Sequence, residues 1–433
     1  MTATSVPPTA PDRTRATMGA LFDIWSEPAS RAIEVAPRAW SVCAGIVNVG
    51  VIETDEGLVL IDAGLRQQGE ELRALVRSVT SAPLHTVVFT HGHIDHALGL
   101  GPLLEETVEQ TGSRPRVLAH RNVPARFERY LRTAGLNSSV NARQSGGPAT
   151  WWPTGERDFV WPDTVYDDRM TLRVGGEEIH LRHAKGETDD ATWAWMPGRK
   201  LLAVGDLWLG VCPNAGNPQK VQRYAEEWAD AAEEMAATGA EAMIPGHGMP
   251  VTGAAAVRER WLDAAELIRH LVDHTLAALN AGRTHEQIVR SLELPEHLAA
   301  KPYLQPYHDR PEFVVRNLIR RYGGWWDGRA ANLLPAATGD QARELVTLAG
   351  GAGTLVDRAY RLADTDLALA CHLAEWAALG EPDNPTAHRC LSELFERRYA
   401  AEPSFQARGI FRDAITRSQA ALDRLGAAEN TAT

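Results

Sequence analysis

The chain has 433 residues, of which 44% are hydrophobic and 23% are charged, a balance that excludes global disorder and predicts either two or three folded cores or one large core with an appendage. Its formal net charge is -12, from 44 Lys and Arg against 56 Asp and Glu, and this disfavours a nucleic-acid partner, which would require a basic surface. No run approaches the roughly 18 consecutive apolar residues of a spanning helix, so we expect no membrane span.

The N-terminal sequence MTATSVPPTAPDRTRATMG is rich in Thr, Pro and Ala and lacks the continuous apolar core of a secretory signal. We therefore expect residues 1–30 to form a disordered leader. The cysteines are far apart and show no Cys-x-x-Cys spacing, which fits neither a disulfide framework nor a structural zinc knot. They are Cys43, Cys212, Cys371 and Cys390. Both features favour a cytoplasmic protein.

Short β-rich runs alternate with helical spacing over the first 255 residues. The predicted strands are 40–42, 48–52, 58–62, 86–89, 117–119, 171–174, 179–182, 192–195 and 201–204. Apolar periodicity predicts helices at 67–79, after Leu98, and at 222–237. The Gly-, Ser- and Pro-rich stretch from Asn137 to Pro153 lacks periodicity and is predicted to be a loop over the site described below.

Strand signals nearly vanish from Ala254 onward. Ala- and Leu-rich helical patterns replace them, broken at glycines and by an Asp-Asn-Pro sequence at residues 383–385. This change predicts a domain boundary, with an α/β domain over residues 31–255 and an all-α domain over residues 256–425.

The segment Thr90-His91-Gly92-His93-Ile94-Asp95-His96 directly follows an apolar strand. Imidazole nitrogens and a carboxylate oxygen suit zinc, and a cluster this dense can face two adjacent ions. Two such ions would lower the pKa of a bridging water and stabilise negative charge on a substrate. The alternative is a chance surface cluster.

This segment resembles the signature of the metallo-β-lactamase superfamily, and Leu60-Ile61-Asp62-Ala63-Gly64 resembles the strand and turn that precede it, over roughly residues 35–255. The resemblance implies an αββα sandwich in the α/β class. By position it assigns His91 and His93 to the first metal, and Asp95 and His96 to the second. Asp95 is also expected to be catalytic.

The same resemblance supplies three further ligands, Glu187, Asp206 and His247, and implies two Zn²⁺ ions as cofactors. Most members of the superfamily have His where this chain has Glu187. A Glu here, with a second acid 19 residues later at Asp206, resembles the alkyl sulfatase branch. Asp206 would bridge the metals, or it could simply cap a turn. Asp62 orients ligand histidines or forms a turn.

Other polar and aromatic residues have weaker interpretations. The spacing of five further histidines does not promote any of them to a ligand; they are His85, His120, His180, His183 and His308. Trp151, Trp152 and Trp208 line an apolar substrate channel or serve as packing residues.

The helical half resembles the alkyl sulfatase dimerisation domain in the segments 310–317, 322–328 and 331–333, which include Gly-Trp-Trp-Asp-Gly. This implies a homodimer, although a helix end with buried tryptophans is also a structural explanation. Asn214, eight residues after Asp206, fits a sulfate-contacting position. The arginine expected near Gln219 and Lys220 is not evident, and Phe313 stands where the sulfatases place a sulfate-contacting His.

Three functions therefore stay open. The first is hydrolysis of an alkyl sulfate ester, a small-molecule substrate that requires cationic donors. The second is hydrolysis of a carbonyl ester, lactone, thioester or amide at the same site, for which fewer cationic donors suffice. The third is a metal-binding dimeric scaffold without catalysis.

Overall fold

The computed structural model describes residues 30–145 and 151–431, apart from the side chains of Ser145 and residues 428–431. The predicted leader lies outside the described residues except for Ser30, and so do residues 146–150 of the predicted loop. Within the described part of the chain, no helix has the length and apolar character needed to cross a membrane.

The described strands form a seven-stranded sheet, ordered β1-β2-β3-β4-β5-β6-β7, and a six-stranded sheet, ordered β13-β12-β11-β10-β9-β8. Their bounds are β1 Arg31–Ala36, β2 Ala39–Ala44, β3 Val47–Thr54, β4 Gly57–Ile61, β5 Leu84–Val88, β6 Arg116–His120, β7 Thr164–Tyr166, β8 Arg169–Val174, β9 Glu177–Ala184, β10 Ala191–Met196, β11 Leu201–Ala203, β12 Ala242–Ile244 and β13 Val251–Thr252.

The two sheets pack face to face around one apolar core. The seven-stranded sheet contributes residues such as Ile52 and Val88, and the six-stranded sheet contributes Leu181 and Met196. Because successive side chains of a strand point to opposite faces, each sheet also has an outer face that needs cover. Helix Gly69–Val79 packs against β2, and helix Ala225–Ala236 packs against β9. The predicted αββα sandwich is confirmed.

Two pairs of neighbouring parallel strands determine where the site forms. β4 runs parallel to β5, and β11 runs parallel to β12. Parallel neighbours end at the same edge of a sheet, so the residues that follow them come together. Asp62 follows β4 and the His91–His96 segment follows β5, while Asp206 and His247 follow β11 and β12.

The structure describes helices in both halves of the chain. They are Gly69–Val79, Ile94–Ala97, Gly101–Thr111, Asn122–Arg132, Ala134–Ser145, Ala225–Ala236, Ala254–Asn280, His285–Arg290, Glu296–Ala299, Pro311–Gly323, Thr338–Ala349, Ala352–Leu362, Leu367–Gly380, Pro385–Ala401 and Phe405–Thr431. The composition change at Ala254 coincides with the start of a helix.

The chain divides into two compact units. The first comprises residues up to 134, 153–281 and 291–321, and therefore contains both the sandwich and helix Ala254–Asn280. The second comprises residues 135–152, 282–290 and those from 322 onward. The helical half of the sequence thus contributes to both units.

Helices of the second unit pack on a core of small and apolar side chains that includes Val346, Val356, Ala374 and Leu394. The predicted break at residues 383–385 is present, because the Asn384 side chain accepts hydrogen bonds from the backbone N–H groups of Thr386 and Ala387. A proline at the first helical position completes this start signal. Trp325 and Trp326 are 71% and 44% exposed, so the expectation of buried tryptophans was wrong for the single chain.

The prediction of a loop from residue 137 was also wrong, because Ala134–Ser145 is helical. Tertiary contacts explain the difference. Arg143 forms an ion pair with Asp413, and a Cβ atom at Gly409 would lie 2.5 Å from the Arg143 carbonyl oxygen. The helix is therefore stabilised by close packing on helix Phe405–Thr431. The spacing of apolar residues in the local sequence does not predict such a contact.

Candidate metal centre

The Asp206 carboxylate lies at the centre of the site, between two pairs of histidines. Its Oδ2 atom is 3.3 Å from His91 Nε2 and 3.5 Å from His93 Nδ1. Its Oδ1 atom is 3.0 Å from His96 Nε2 and 3.2 Å from His247 Nε2. One carboxylate oxygen thus faces each pair, which is the arrangement expected of a carboxylate shared by two ions.

All seven predicted ligands fall into groups whose donor atoms lie within 4.8 Å of one another. We call His91, His93 and Glu187 the first ligand set and Asp95, His96 and His247 the second ligand set, with Asp206 common to both. The groups are His93 with Glu187 and Asp206, His91 with His96 and Asp206, and Asp95 with His96 and His247. Asp95 Oδ2 lies 3.6 Å from His247 Nε2. Imidazole and carboxylate donors at this spacing suit zinc and other transition metals.

Hydrogen bonds orient the imidazole rings of the second ligand set. His96 Nδ1 donates to Asp62 Oδ2 over 2.7 Å, and His247 Nδ1 donates to the Ile46 carbonyl over 2.8 Å. Each bond places the proton on Nδ1 and leaves the Nε2 lone pair directed at Asp206. Such outer contacts fix the tautomer of a metal-binding histidine.

Asp62 fulfils both roles that the sequence left open. Its backbone adopts a φ of +71°, the left-handed conformation of a turn residue. Its carboxylate also accepts hydrogen bonds from the Thr90 backbone N–H at 2.7 Å and from Thr90 Oγ1 at 2.8 Å, besides the bond from His96. Asp62 therefore supports the start of residues Thr90–His96, which we call the His-rich segment.

Two buried donor atoms of the first ligand set have no hydrogen-bond partner in the described chain. They are His91 Nε2 and Glu187 Oε2. Glu187 Oε1, in contrast, forms an ion pair with Arg223 Nη1. Leaving buried polar atoms unpaired costs about 1–3 kcal/mol each. Because both atoms belong to groups with metal-binding spacing, the residues present fit a metal ion.

Burial and charge act in opposite directions at the centre of the site. Burial works to raise the pKa of Asp206, but the imidazoles of His96, His247 and His91 hold that pKa well below its usual value. Burial also works to lower the pKa of His96, but Asp206, Asp62 and Asp95 raise it well above its usual value. Positive charge is therefore strongly favoured between these carboxylates.

Glycines allow the closest approaches around Asp206. A Cβ atom at Gly246 would lie 2.3 Å from Asp206 Oδ1, inside the contact distance of any real side chain. The Gly246 N–H donates to the Gly205 carbonyl over 2.8 Å, and Gly205 has a φ of +49°. Only a residue without a side chain fits at Gly246, which explains the Gly-His sequence at the end of β12.

Sequence reasoning missed the basic residues that lie buried or half-buried near the candidate ligand groups. Arg223 is 2% exposed, and burial lowers its pKa to about 9. Burial lowers the pKa of Lys220 to about 8, while the charge of Asp95 acts in the opposite direction. Burial, followed by the charges of His247 and Arg223, lowers the pKa of His308 to about 3. No local spacing marks these residues as a group, because Lys220 and Arg223 lie in one segment and His308 lies in another, far along the chain.

Asn214 is buried in a loop that is held in place by residues 305–313. The Gly216 N–H donates to Asp309 Oδ2 over 2.5 Å, and the Cys212 N–H donates to the Gln305 carbonyl over 3.0 Å. A Cβ atom at Gly216 would clash with the Phe313 backbone. The segment containing His308 and Phe313 therefore positions the loop that contains Asn214.

The remaining candidates have structural roles. His120 stacks on His183 with ring centroids 3.7 Å apart, His180 bonds Glu178, and His85 bonds Thr86. Trp208 is 5% exposed and packs against Trp261, so packing explains its place. Trp151 and Trp152 belong to the second unit, where Trp152 is buried.

Comparisons with known proteins agree with this arrangement. Residues 44–247 match the metallo-beta-lactamase superfamily, and residues 284–420 match the family described as alkyl sulfatase dimerisation. A linear primary-alkylsulfatase from Pseudomonas sp. is 26% identical over 324 residues, covering 70% of this chain and 60% of the relative. An alkyl/aryl-sulfatase from Saccharomyces cerevisiae is 24% identical over 382 residues, covering 83% of this chain and 59% of the relative.

A similar fold occurs in the stereoselective inverting sec-alkylsulfatase Pisa1 from Pseudomonas sp. The TM-score is 0.81 at 23% identity, with coverage of 89% of this chain and 65% of that chain. The chain thus spans about 60% of the length of the curated relatives named above. The chain therefore combines a metallo-beta-lactamase domain, matched over residues 44–247, with an alkyl sulfatase dimerisation domain, matched over residues 284–420.

Proposed function

We propose that this protein is a metal-dependent hydrolase of alkyl sulfate esters that uses two Zn²⁺ ions. The observation that carries the proposal is the Asp206 carboxylate between two histidine pairs, with the buried Arg223 paired to Glu187 and the half-buried Lys220 near Asp95. The likeness to alkylsulfatases supports the same substrate class. We assign His91, His93 and Glu187 to one ion and Asp95, His96 and His247 to the other, with Asp206 shared.

When bound, the two ions supply Lewis acidity that lowers the pKa of a water and stabilises negative charge on the reacting ester. The protein contributes orientation. Asp62 and the Ile46 carbonyl hold two imidazoles with their Nε2 atoms facing Asp206. Asp95, only 3.6 Å from His247 Nε2, is the proposed catalytic carboxylate, since its second oxygen can accept a proton from an attacking water.

The buried cations favour a sulfate ester over a carbonyl substrate. Arg223 Nε is buried without a hydrogen-bond partner in the described chain. Such donors stabilise an anion strongly in a site from which water is excluded. Lys220 and His308 add two further nitrogen donors from different segments, and Asn214 is the proposed amide contact. These residues compensate for Phe313, which stands where the resemblance implies a histidine.

Hydrolysis of a carbonyl ester, lactone, thioester or amide is the second candidate. Phe313 is the observation in its favour, because an apolar side chain at that position suits an uncharged substrate. A metal-binding scaffold without catalysis is the third candidate, but the basic residues Arg223 and Lys220 beside the ligand groups, which metal binding alone does not need, disfavour it.

The test begins with elemental analysis of the purified protein, which is expected to hold close to two ions per chain. The same preparation is then assayed on dodecyl sulfate, a secondary alkyl sulfate, a lactone and a thioester. We expect turnover of at least one sulfate ester. Turnover of only the carbonyl substrates would favour the second candidate, and failure to hydrolyse any of the four would favour the third.

A matched pair of lysine variants tests the anion contact. Lys220→Met should lower kcat/KM for the sulfate ester by about 10- to 100-fold, from the loss of one charge-assisted contact of about 1.5–3 kcal/mol. Lys200→Met removes a lysine that is 58% exposed and paired with Glu241, and it should leave turnover unchanged. Equal effects of the two substitutions would argue against an anionic substrate.

We also propose a homodimer formed through the second unit. Several large apolar side chains there are exposed in the single chain, including Trp325 at 71%, Leu334 at 90% and Leu348 at 76%. Exposed apolar surface of this kind marks an interaction site. Light scattering should give twice the chain mass of 47.3 kDa at micromolar concentration, and a mass near 47.3 kDa would contradict the dimer.

The four cysteines are buried and unpaired, which supports a reducing compartment. We therefore propose a cytoplasmic location, testable by cell fractionation.

A further inference from the structure

We propose that Asp190 and Arg126 form a positioning pair that sets the geometry of the first ligand set, His91, His93 and Glu187, and leaves the second ligand set unaffected. This inference rests on the proposed metal site but not on the identity of the substrate. Neither residue belongs to a metal-binding group, so both would act through the segments that they connect.

The Asp190 carboxylate joins two segments that carry ligands of the first set. Its Oδ2 atom accepts hydrogen bonds from the Gly92 backbone N–H at 3.1 Å and from Arg126 Nε at 2.6 Å. Gly92 lies between His91 and His93, so this bond holds the backbone that carries both imidazoles. Asp190 also ends the turn that begins at Gly186 and contains Glu187, where the Gly186 N–H donates to the Thr188 carbonyl over 3.0 Å.

Arg126 holds the Asp190 carboxylate in place through its Nε atom. The Nη2 atom of Arg126 forms an ion pair with Asp189, so the arginine contacts two consecutive carboxylates of the same turn. Asp190 is 0% exposed and Arg126 is 4% exposed. A bidentate arginine contact in a buried site fixes orientation as well as distance.

Close contact with Arg126 and Asp190 explains why residue 92 of the His-rich segment is a glycine. A Cβ atom at Gly92 would lie 2.9 Å from Arg126 Cδ, 3.2 Å from Asp190 Oδ2 and 3.3 Å from Phe127 Cε1. The segment therefore needs a residue without a side chain in order to lie against the pair. Gly92, Arg126 and Asp190 act together as one support.

The second ligand set is held by different contacts. His96 is bonded to Asp62, and His247 is bonded to the Ile46 carbonyl and lies in a bridge with Val47. None of these contacts involves Arg126 or Asp190. Asp62 also reaches the first ligand set, because Thr90 Oγ1, which donates to Asp62, lies 2.9 Å from His91 Nδ1. Asp190 and Arg126, in contrast, contact only segments of the first set, so substitution of Asp190 is expected to act on that set alone.

A role in overall stability alone is the competing explanation. Buried ion pairs contribute little net stability, because desolvation of both charges offsets their attraction. The decisive measurement must therefore separate metal binding from folding. Residues that support metal ligands through a second contact typically change metal affinity by about 10- to 100-fold.

The experiment measures zinc binding to the full chain by elemental analysis and by competition with a chromophoric chelator. We expect Asp190→Ala to weaken one of two zinc affinities by about 10- to 100-fold and to change the other less than about threefold. Asp190→Asn keeps an oxygen that can accept the Gly92 hydrogen bond, so it should restore part of the loss. Asp167→Ala removes an aspartate that is 70% exposed and paired with Arg121, and it serves as the matched control.

Combining Asp190→Ala with a second substitution, His247→Ala, identifies which of the two ions is affected. His247→Ala should retain the ion of the first ligand set, and the double variant with Asp190→Ala should retain neither ion at stoichiometric zinc. Circular dichroism and thermal melting of the metal-free variants report folding. If Asp190→Ala does not fold, Asp190→Asn carries the same comparison with a smaller expected effect.

Equal weakening of both ions, or no change in either, would overturn the proposal. Wild-type protein that binds fewer than two ions would overturn it as well. Two bound ions without turnover of a sulfate ester would refute the proposed function and leave this inference standing.

Discussion

Replacement of Asp62 by Ala removes the acceptor for three buried hydrogen bonds. The donors are the Thr90 N–H, the Thr90 hydroxyl and His96 Nδ1, at 2.7, 2.8 and 2.7 Å. Asp62 is 2% exposed, so water has little access to replace the lost acceptor. At about 1–3 kcal/mol for each orphaned donor, the free energy of unfolding should fall by at least about 3 kcal/mol.

The same substitution should also weaken metal binding. Without the carboxylate, His96 is free to place its proton on Nε2, the nitrogen that faces Asp206. Loss of such an orienting contact lowers metal affinity by about 10- to 100-fold. Asp62→Asn should have a similar effect on His96, because an amide nitrogen facing Nδ1 cannot accept its proton, while the amide oxygen still serves Thr90.

Urea unfolding of the metal-free protein measures the first effect, and zinc competition measures the second. Asp55→Ala is a suitable control, because that aspartate lies at the next turn of the same sheet with its side chain 76% exposed. It should change stability by less than about 0.5 kcal/mol. The reasoning is refuted if Asp62→Ala stays within about 1 kcal/mol of wild type and binds zinc normally.

Two further outcomes are expected. Gly246→Ala should displace Asp206 and reduce the bound metal to less than half, because the new Cβ atom would lie 2.3 Å from Asp206 Oδ1. Gly101→Ala is the control, since its new Cβ atom meets no atom within 4 Å, and this variant should bind metal normally. Equal metal content in the two variants would contradict this reasoning. Burial raises the pKa of Asp309 from 3.8 to about 7, so the folded state prefers the protonated carboxyl and loses stability as pH rises between these values. Asp309→Asn removes this titration, so the stability of the variant relative to wild type should increase from pH 4 to pH 7 and level off above pH 7. Denaturant unfolding of both proteins at several pH values measures this, and a difference in unfolding free energy that stays constant with pH would show that the carboxyl does not titrate in this range.

The sequence by itself determined the elements whose cause is local. Short apolar runs rich in β-branched residues and bounded by turn signals predicted the strands between Trp40 and Asp62, and nearly all residues of these strands are buried. The Asn384-Pro385 pair fixed a helix start through a side-chain cap and a preset backbone angle. The His-rich segment identified the candidate metal ligands that lie closest together in sequence, because they share one strand end.

Only the tertiary structure decided which distant residues join that segment. Glu187, Asp206 and His247 were assigned by resemblance, and their approach to the His-rich segment depends on strand pairing between residues far apart in the chain. Arg223 and His308 had no local signal, because their importance comes from burial beside those ligands. The helix Ala134–Ser145 likewise lacks a strong apolar stripe and forms where packing supports it. Local patterning specifies which face of an element is buried, whereas the identity of its neighbours follows from the packing of the whole unit.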